Sequence, residues 1–538
     1  MGYFPFILLS FILFFAPLSF ASTEPWALLI NQCCFFILSV HLFFNRKDLY
    51  WTPPSKKIFF CFIIVLLLCL IQYFNPHTIL EKKLYIPFSI CTFYTFTDLS
   101  NILLYFFVFL IVNQNFENSH IIKNLLLIIV IASAVVLFIG FSCPKGEYIK
   151  AFLGAKVFGS FGPFVNRNNA GAFLSMALFA TAASLLPMFI KQSKNTPGKI
   201  LLTILSILFL IGVIYTRSRG AMLATFISLF FLFLLCSIYL IRNKKQSISA
   251  ICITLVLFSV FSYLIYLYRD NINEFAQRSS FNDFSSQARV DLYKSAFKML
   301  KQFPWTGIGV AAFPVAIASY QEMDFKAYPN YLHNDWLELL LGIGYPAGIL
   351  ILLLLVTTIY IFIRNIRNLS HRKRAIYIPL LCSVLSICIA SLVDFHFHIP
   401  ANSILFFTIL AILCSATFFK ENISFVKPHL IIKILFLTAF LIIIIFSVKN
   451  TVIWRWTIFG NKLSVEQKII NYEKAIQFSD NPRYAIDLGI AYINTQKLKT
   501  LSDEQKQEYK KKAKQLSSKY LKKYPFEKRF SKIYLSSN

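Results

Sequence analysis

The feature that most limits how this chain can fold is the recurrence, over most of its 538 residues, of uncharged apolar runs long enough to cross a bilayer. A span needs about 20 apolar residues in helical form, because hydrocarbon offers no partner for backbone N–H and C=O groups. Read with a window of about 19 residues, the chain has roughly thirteen such runs. They lie near 4–21, 26–44, 58–74, 97–114, 121–142, 169–190, 199–215, 221–241, 248–268, 335–362, 376–396, 402–419 and 429–448. Only 14% of the residues are charged, well under the usual quarter of a soluble chain, so an ordinary soluble enzyme is excluded. The expected fold is all-α: a polytopic transmembrane helical bundle of about 12 to 13 spans, with a large extracytoplasmic loop and a small C-terminal helical domain. The first run ends in Ala21 and Ser22 as a signal peptide would, but no basic segment precedes it, so it reads as a retained helix.

The net charge of +29 is explained by topology without nucleic acid. Basic clusters at Arg46, Lys47, Lys56 and Lys57; Lys191, Lys194 and Lys199; Arg242, Lys244 and Lys245; and Arg364, Arg367, Arg372, Lys373 and Arg374 all fall on one side if the spans alternate. The positive-inside bias makes that side cytoplasmic. The opposite side then receives 143–168, the link Thr216–Gly220, a loop at 269–332 and the C-terminal tail. Most of the eleven cysteines sit inside apolar runs and read as small core residues. Cys91 and Cys143 lie nearer segment ends, where a disulfide is conceivable. Phe at 59 and Tyr at 26 exceed what aromatic belts at the membrane boundary use, and carry no functional conclusion.

Two polar segments stand apart. Within 269–332, Ser286 to Phe303 places Val290, Tyr293, Phe297 and Leu300 on one helical face, the pattern of an amphipathic helix lying along a membrane surface. The chain therefore divides into a membrane domain, 1–449, and an extracytoplasmic helical tail, 450–538. In the tail, Tyr472, Ala475, Ile476, Leu488, Ala491 and Tyr492, with Asn481 and Pro482 at the break, resemble a tetratricopeptide-type helix pair. A small cap on the membrane domain and a docking surface are both consistent with it. Lys510, Lys511, Lys512 and Lys514 form either a solvated helix face or a contact for anionic lipid heads.

Four constellations collect on the outer side. Asn166, Arg167 and Asn168 stand where a loop enters a helix, suited to an anion or a sugar hydroxyl, with helix capping as the plain alternative. Arg217 and Arg219, in a very short turn, run against the positive-inside bias. Guanidinium forks match phosphate oxygens bidentately, and snorkelling to lipid headgroups is the competing reading. Arg289 pairs in sequence logic with His333, which precedes Asn334 and Asp335; a histidine there can take a proton near neutrality or simply cap a helix. Asp394, His396 and His398 end a span, where ionisable groups face a cavity or a partner. They lack the further ligands a metal site needs, and pairing of this group with an arginine of the Arg217–Arg219 turn is expected.

Asn-Arg-Asn at 166–168, Ser-Arg-Gly at 218–220, Arg289 followed by Phe-Pro-x-x-Gly-x-Gly at 303–309, His-Asn-x-x-Leu at 333–337 and Asp-Phe-x-x-His-Ile-Pro-Ala-Asn at 394–402 together resemble the O-antigen ligase and polymerase family of bacterial envelope glycosyltransferases. The resemblance covers about 150–415. It implies metal-independent, inverting transfer of a glycan, without a cofactor, from an undecaprenyl diphosphate carrier in the bacterial inner membrane. The acceptor would be a lipid-A core, a carrier-linked repeat unit or a protein. By the same resemblance Arg219 and Arg289 hold the diphosphate, Arg217 assists, and His333 activates the acceptor. One departure is that the family's acidic residue nine positions after the histidine is Gly342 here. Glu338 and Asp335 are left as candidate partners of His333, although Glu338 is turned about 500° along a helix from it.

Two other classes compete. A transporter or flippase of lipid-linked sugars would show internal repeats and ionisable groups at mid-bilayer, whereas the notable residues here gather at one side. A scaffold that recruits partners through the tail leaves Arg217, Arg219, Arg289 and His333 unexplained.

Overall fold

A computed structural model describes residues 3–46, 48–77, 86–115, 119–143, 147–148, 159–190, 193–241, 248, 286–320, 329–415, 423–457, 463–498 and 501–537. The apolar run at 248–268, apart from residue 248, and the loop segment 269–285 lie outside these, as do Lys47, Lys191, Arg242, Lys244, Lys245 and Cys252. The chain is helical: α1 Tyr3–Leu18, α2 Pro25–Asn45, α3 Pro53–Phe74, α4 Thr92–Asn115, α5 Ser119–Ser142, α6 Arg167–Ile190, α7 Thr196–Tyr215 and α8 Arg219–Tyr239. After these come α9 Ser286–Gln302, α10 Phe313–Tyr320, α11 Asp335–Ile343, α12 Tyr345–Ile366, α13 His371–Ala390, α14 Pro400–Leu413 and α15 Leu430–Thr457. The tail holds α16 Val465–Phe478, α17 Pro482–Asn494, α18 Asp503–Lys523 and α19 Lys528–Ser536. Ten helices among the described residues are long and apolar enough to cross a membrane, and α1 and α14 are shorter apolar helices. The one strand pair among the described residues joins Leu49–Trp51 to Ser424–Val426.

Helix α4 sits at the centre. Leu103 through Val112 are all buried, as expected of a helix apolar on every side. The largest fully buried side chains are all phenylalanine, and rings such as Phe107 and Phe440 stack at 4.8 Å. Much of the phenylalanine therefore fills the interior. By contrast α12 and α15 keep Leu353, Val356, Ile431, Leu435 and Ile445 exposed, the surface that hydrocarbon would cover.

The two ends of the bundle differ. At one end, Arg374 donates to the carbonyls of Ile366, Arg367 and Tyr239, and Lys433 donates to that of Phe43. These are helix C-termini, where cations satisfy the last carbonyls. At the other end lie the described segments the alternation of spans puts together: 75–77, 86–91, 159–169, 216–220, 303–312, 329–335, 391–399 and the described residues of the tail.

The apolar run 335–362 is broken. Gly344 has φ +79, ends α11 and starts α12. The Leu341 and Gly342 carbonyls accept from Ile308 and Gly309, Gln72 donates to Gly342 at 2.7 Å, and Tyr345 N–H donates to Pro304. The turn at 304–309 thus replaces the helical bonds that the break removes. Helix α9 forms as expected, but with a different face inward. Leu292, Ala296, Met299 and Leu300 are buried, while Val290 and Phe297 are 44% and 49% exposed. The reason is a partner the pattern does not reveal: α9 packs on α10 and α11, in a cluster shared with tail residues such as Ile486, Tyr520 and Phe530. The Ser319 hydroxyl also donates to the Phe526 carbonyl at 2.9 Å. Cys91 and Cys143 are both free thiols.

A β-carbon at Gly344 would lie 2.5 Å from the Trp305 carbonyl oxygen, and positive φ adds about 1–3 kcal/mol of strain for any other residue. Gly344→Ala is expected to lower the thermal unfolding midpoint of the purified protein by several degrees. An unchanged midpoint would show that the break is not locked by this turn.

Candidate active site

The site is built on the turn between α13 and α14. Asp394, buried there, gathers three distant segments. Its Oδ1 lies 3.0 Å from His333 Nδ1 and accepts from the Phe395 N–H at 3.0 Å. Its Oδ2 accepts from Asn168 Nδ2 at 2.6 Å and faces an Arg289 Nη at 3.7 Å. Burial acts to raise the Asp394 carboxyl, but the His333 hydrogen bond and the charges of His396, His333 and Arg289 outweigh it and hold the group well below the usual carboxylate range.

His333 is held from its backbone as well. It has φ +57, a left-handed conformation that costs a non-glycine residue about 1–3 kcal/mol. Its carbonyl accepts from the Tyr293 hydroxyl at 2.8 Å, and its ring meets the edge of Phe395 at 4.9 Å. With Asp394 ionised, Nδ1 carries the proton and Nε2 is the basic nitrogen. The plain capping role expected of this region falls to Asn334, whose side chain accepts from Leu337 N–H.

In the Asn166–Asn168 motif the cap is Asn166, which accepts from the Asn168 N–H at 2.8 Å. Arg167 opens α6, its N–H donating to the Gly159 carbonyl. Asn169, next in the chain, is buried and accepts from His396 Nδ1 at 2.7 Å; its carbonyl accepts from Asn402. Burial lowers His396, against the pull of Asp394 and Asp335. The Arg217–Arg219 turn packs beside Asp394 without pairing to it. A β-carbon on Gly220 would meet Val393 Cγ2 at 2.6 Å, Arg217 has φ +55, and both arginines are exposed. The ion pair expected from this turn is instead made by Arg289.

His398 belongs to a second cluster. Its Nδ1 lies 2.9 Å from Asp335 Oδ1 and its Nε2 3.4 Å from Glu338 Oε1. Glu338 also accepts from the Leu332 N–H, and Asp335 from that of Phe397. Neither Asp335 nor Glu338 is therefore the carboxylate partner of His333; Asp394 is. Asp394, His396 and His398 point to different partners, and no group of three or more metal-ligating side chains occurs among the described residues. Burial pushes Glu338 up to about 7, partly countered by His398. Burial lowers His398, but Glu338 and Asp335 overcome it and raise the imidazole to about 10.

These features define a class: a multi-pass helical membrane protein with a carboxylate, imidazole and guanidinium site at one end of the bundle. Residues 204–352 match the family model described as O-antigen ligase. That segment runs from α7 into α12 and contains Arg217, Arg219, Arg289 and His333. Over that segment the chain is similar to the O-antigen ligase family. Comparison with curated proteins gives no match.

The His398 cluster sets a pH dependence of stability. The folded protein holds the imidazole proton more tightly than the unfolded chain, so this contribution is complete below about 6.5 and is lost as pH rises through about 10. His398→Gln is expected to destabilise by about 3–5 kcal/mol at low pH, since it leaves the buried Asp335 without its charged partner, and to flatten the alkaline decline. Parallel unfolding-midpoint curves for the two proteins between pH 6 and about 10 would contradict the pairing.

Proposed function

We propose that the protein transfers a glycan from an undecaprenyl diphosphate carrier to an acceptor hydroxyl, at the outer face of the bacterial inner membrane. The observation that carries this reading is the convergence of His333, Arg289 and Asn168 on the buried Asp394. It joins a correctly oriented base to a cationic donor.

Asp394 fixes the imidazole so that Nε2 faces the reaction, and Nε2 takes the proton from the acceptor oxygen as that oxygen attacks the anomeric carbon. The bond from that carbon to the diphosphate breaks, and its electron pair leaves with the phosphate oxygen. Attack opposite the leaving group inverts the anomeric centre. The growing negative charge needs fixed donors. Arg289 reaches Asp394 through one Nη only beyond hydrogen-bond distance, and its buried Nε has no partner among the described residues, so much of its fork is available to phosphate. Arg219 and Arg217, exposed on the adjoining turn, complete the cradle. In this reading guanidinium groups do the work that a divalent ion does in many soluble transferases. Asn166, Arg167 and Asn168 border the sugar, and His396 supports Asn169 from behind. The tail lies on the same side as the site and forms a helical, tetratricopeptide-like domain from about 450 to 538.

The test is transfer by purified protein from an undecaprenyl diphosphate oligosaccharide to lipid-A core, carrier-linked and peptide acceptors, with excess chelator present. Each lost donor is worth about 3–4 kcal/mol, or two to three orders of magnitude in rate. Arg219→Ala is expected to lose activity on that scale while unfolding at the normal temperature, and Arg289→Ala and His333→Ala to lose it on that scale while remaining folded at the assay temperature, with unfolding midpoints lowered by the loss of a partner of Asp394. Full transfer by all three would refute the site, and a rate restored only by a divalent ion would refute metal independence.

A further inference from the structure

Two cavities apart from the His333 site meet around His398. The inner one, about 240 Å³, lies among α3, α4, α11, α12 and α14 and is walled mainly by apolar side chains such as Phe62, Val65, Leu355 and Phe406. The outer one, about 340 Å³, is bordered by Thr23 and Tyr94 and, from the tail, by Asn481, Arg483 and Tyr484. They share Asp98, Asn101, Ala311, Glu338 and His398, and together they are of the size of ligand sites. An aromatic partition separates them from the base. Phe395 meets His333 at 4.9 Å and stacks on Tyr331 at 4.4 Å, and Tyr331 meets His398 at 4.7 Å.

The lining selects among ligands. Asp98, Asp335 and Glu338 face the single cation His398 at the inner cavity, and Arg483 adds one cation at the outer one, so three carboxylates against two cations favour hydroxyl or ammonium donors over a diphosphate. Two buried polar atoms are also unsatisfied. Asn101 Oδ1 and the hydroxyl of Tyr105, a residue 6% exposed, have no hydrogen-bond partner among the described residues. A buried polar group left so costs free energy that a ligand would recover.

We propose that the joined cavities hold the glycan acceptor, a molecule with an apolar chain and a head rich in hydroxyl or ammonium groups, and that the tail forms the outer wall of its site. The proposal rests on the transferase reading. The chain occupies the inner cavity, and the head lies against Asn101, Asp98 and the tail. The reactive hydroxyl reaches past the Tyr331–Phe395 pair to His333, so donor and acceptor enter on opposite sides of that pair.

The test uses the full chain in lipid nanodiscs with two photoreactive probes of equal chain length, a dodecyl aminoglycoside and a dodecyl diphosphate, each carrying a diazirine, with labelled residues mapped by mass spectrometry. The aminoglycoside is expected to label near Val65 and Leu355 by its chain and near Asn481–Tyr484 by its head. Filling the inner cavity by Leu355→Trp, or by Val65→Trp if the first variant misfolds, should reduce the chain labelling at least fivefold and raise the acceptor KM about tenfold with donor KM unchanged. Equal labelling of the cavities by the diphosphate, labelling insensitive to filling, or an unchanged acceptor KM would overturn the proposal. Labelling is read without turnover, so loss of the transferase reading alone would leave the cavity labelling intact.

Discussion

Asp394 is a buried carboxylate bonded by groups from three segments far apart in sequence: Asn168 at the start of α6, Arg289 on α9 and His333 before α11. A carboxylate out of water is tolerated only when paired and hydrogen-bonded, so the requirement runs in both directions. The carboxylate needs these partners, and each partner is placed by it. His333 keeps a left-handed backbone and a defined tautomer, and Arg289 is drawn from an amphipathic helix toward the mouth of the bundle. The rest of that end of the bundle is arranged around this point, with α13 packed on both α6 and α8 and the arginine turn wedged beside Val393.

Much of the fold was legible because a bilayer leaves the backbone few choices. Apolar length alone located nearly every described span, and the basic clusters grouped the loops that the structure places at common ends. What the pattern could not show is where a long apolar run is interrupted by tertiary bonding. The 335–362 run reads as one helix, yet Gly344 and the 304–309 turn divide it, since the bonds that make the break tolerable come from elsewhere in the chain. Periodicity gives the wrong face of α9 for a related reason: two apolar stripes compete on that helix, and the tail, invisible to local periodicity, decides which is covered.

The candidate site was legible residue by residue but not pair by pair. His333, Arg289, Asn168 and Asp394 each stand out in the sequence as polar groups, while local spacing offers His333 only the carboxylates of the helix that follows it. Spacing along one helix restricts neighbours to the next turn, whereas the actual partner lies 61 residues away. Asp98 carried a usable signal, an acidic residue inside an apolar run, which by the same logic that flagged Asp394 marks a cavity or a partner.

The division of labour follows from charge. The Asp394 side of the Tyr331–Phe395 pair has arginines in excess, and the His398 side has carboxylates in excess, so the two sides suit different molecules. The measurement that bears most directly on the central role of Asp394 is the rate of glycan transfer by Asp394→Asn, an isosteric change that removes the charge orienting His333. A rate lower by at least about a hundredfold, with unfolding temperature and donor KM near those of the unaltered protein, is the predicted result. Transfer at the full rate would contradict the claim that this carboxylate sets the base.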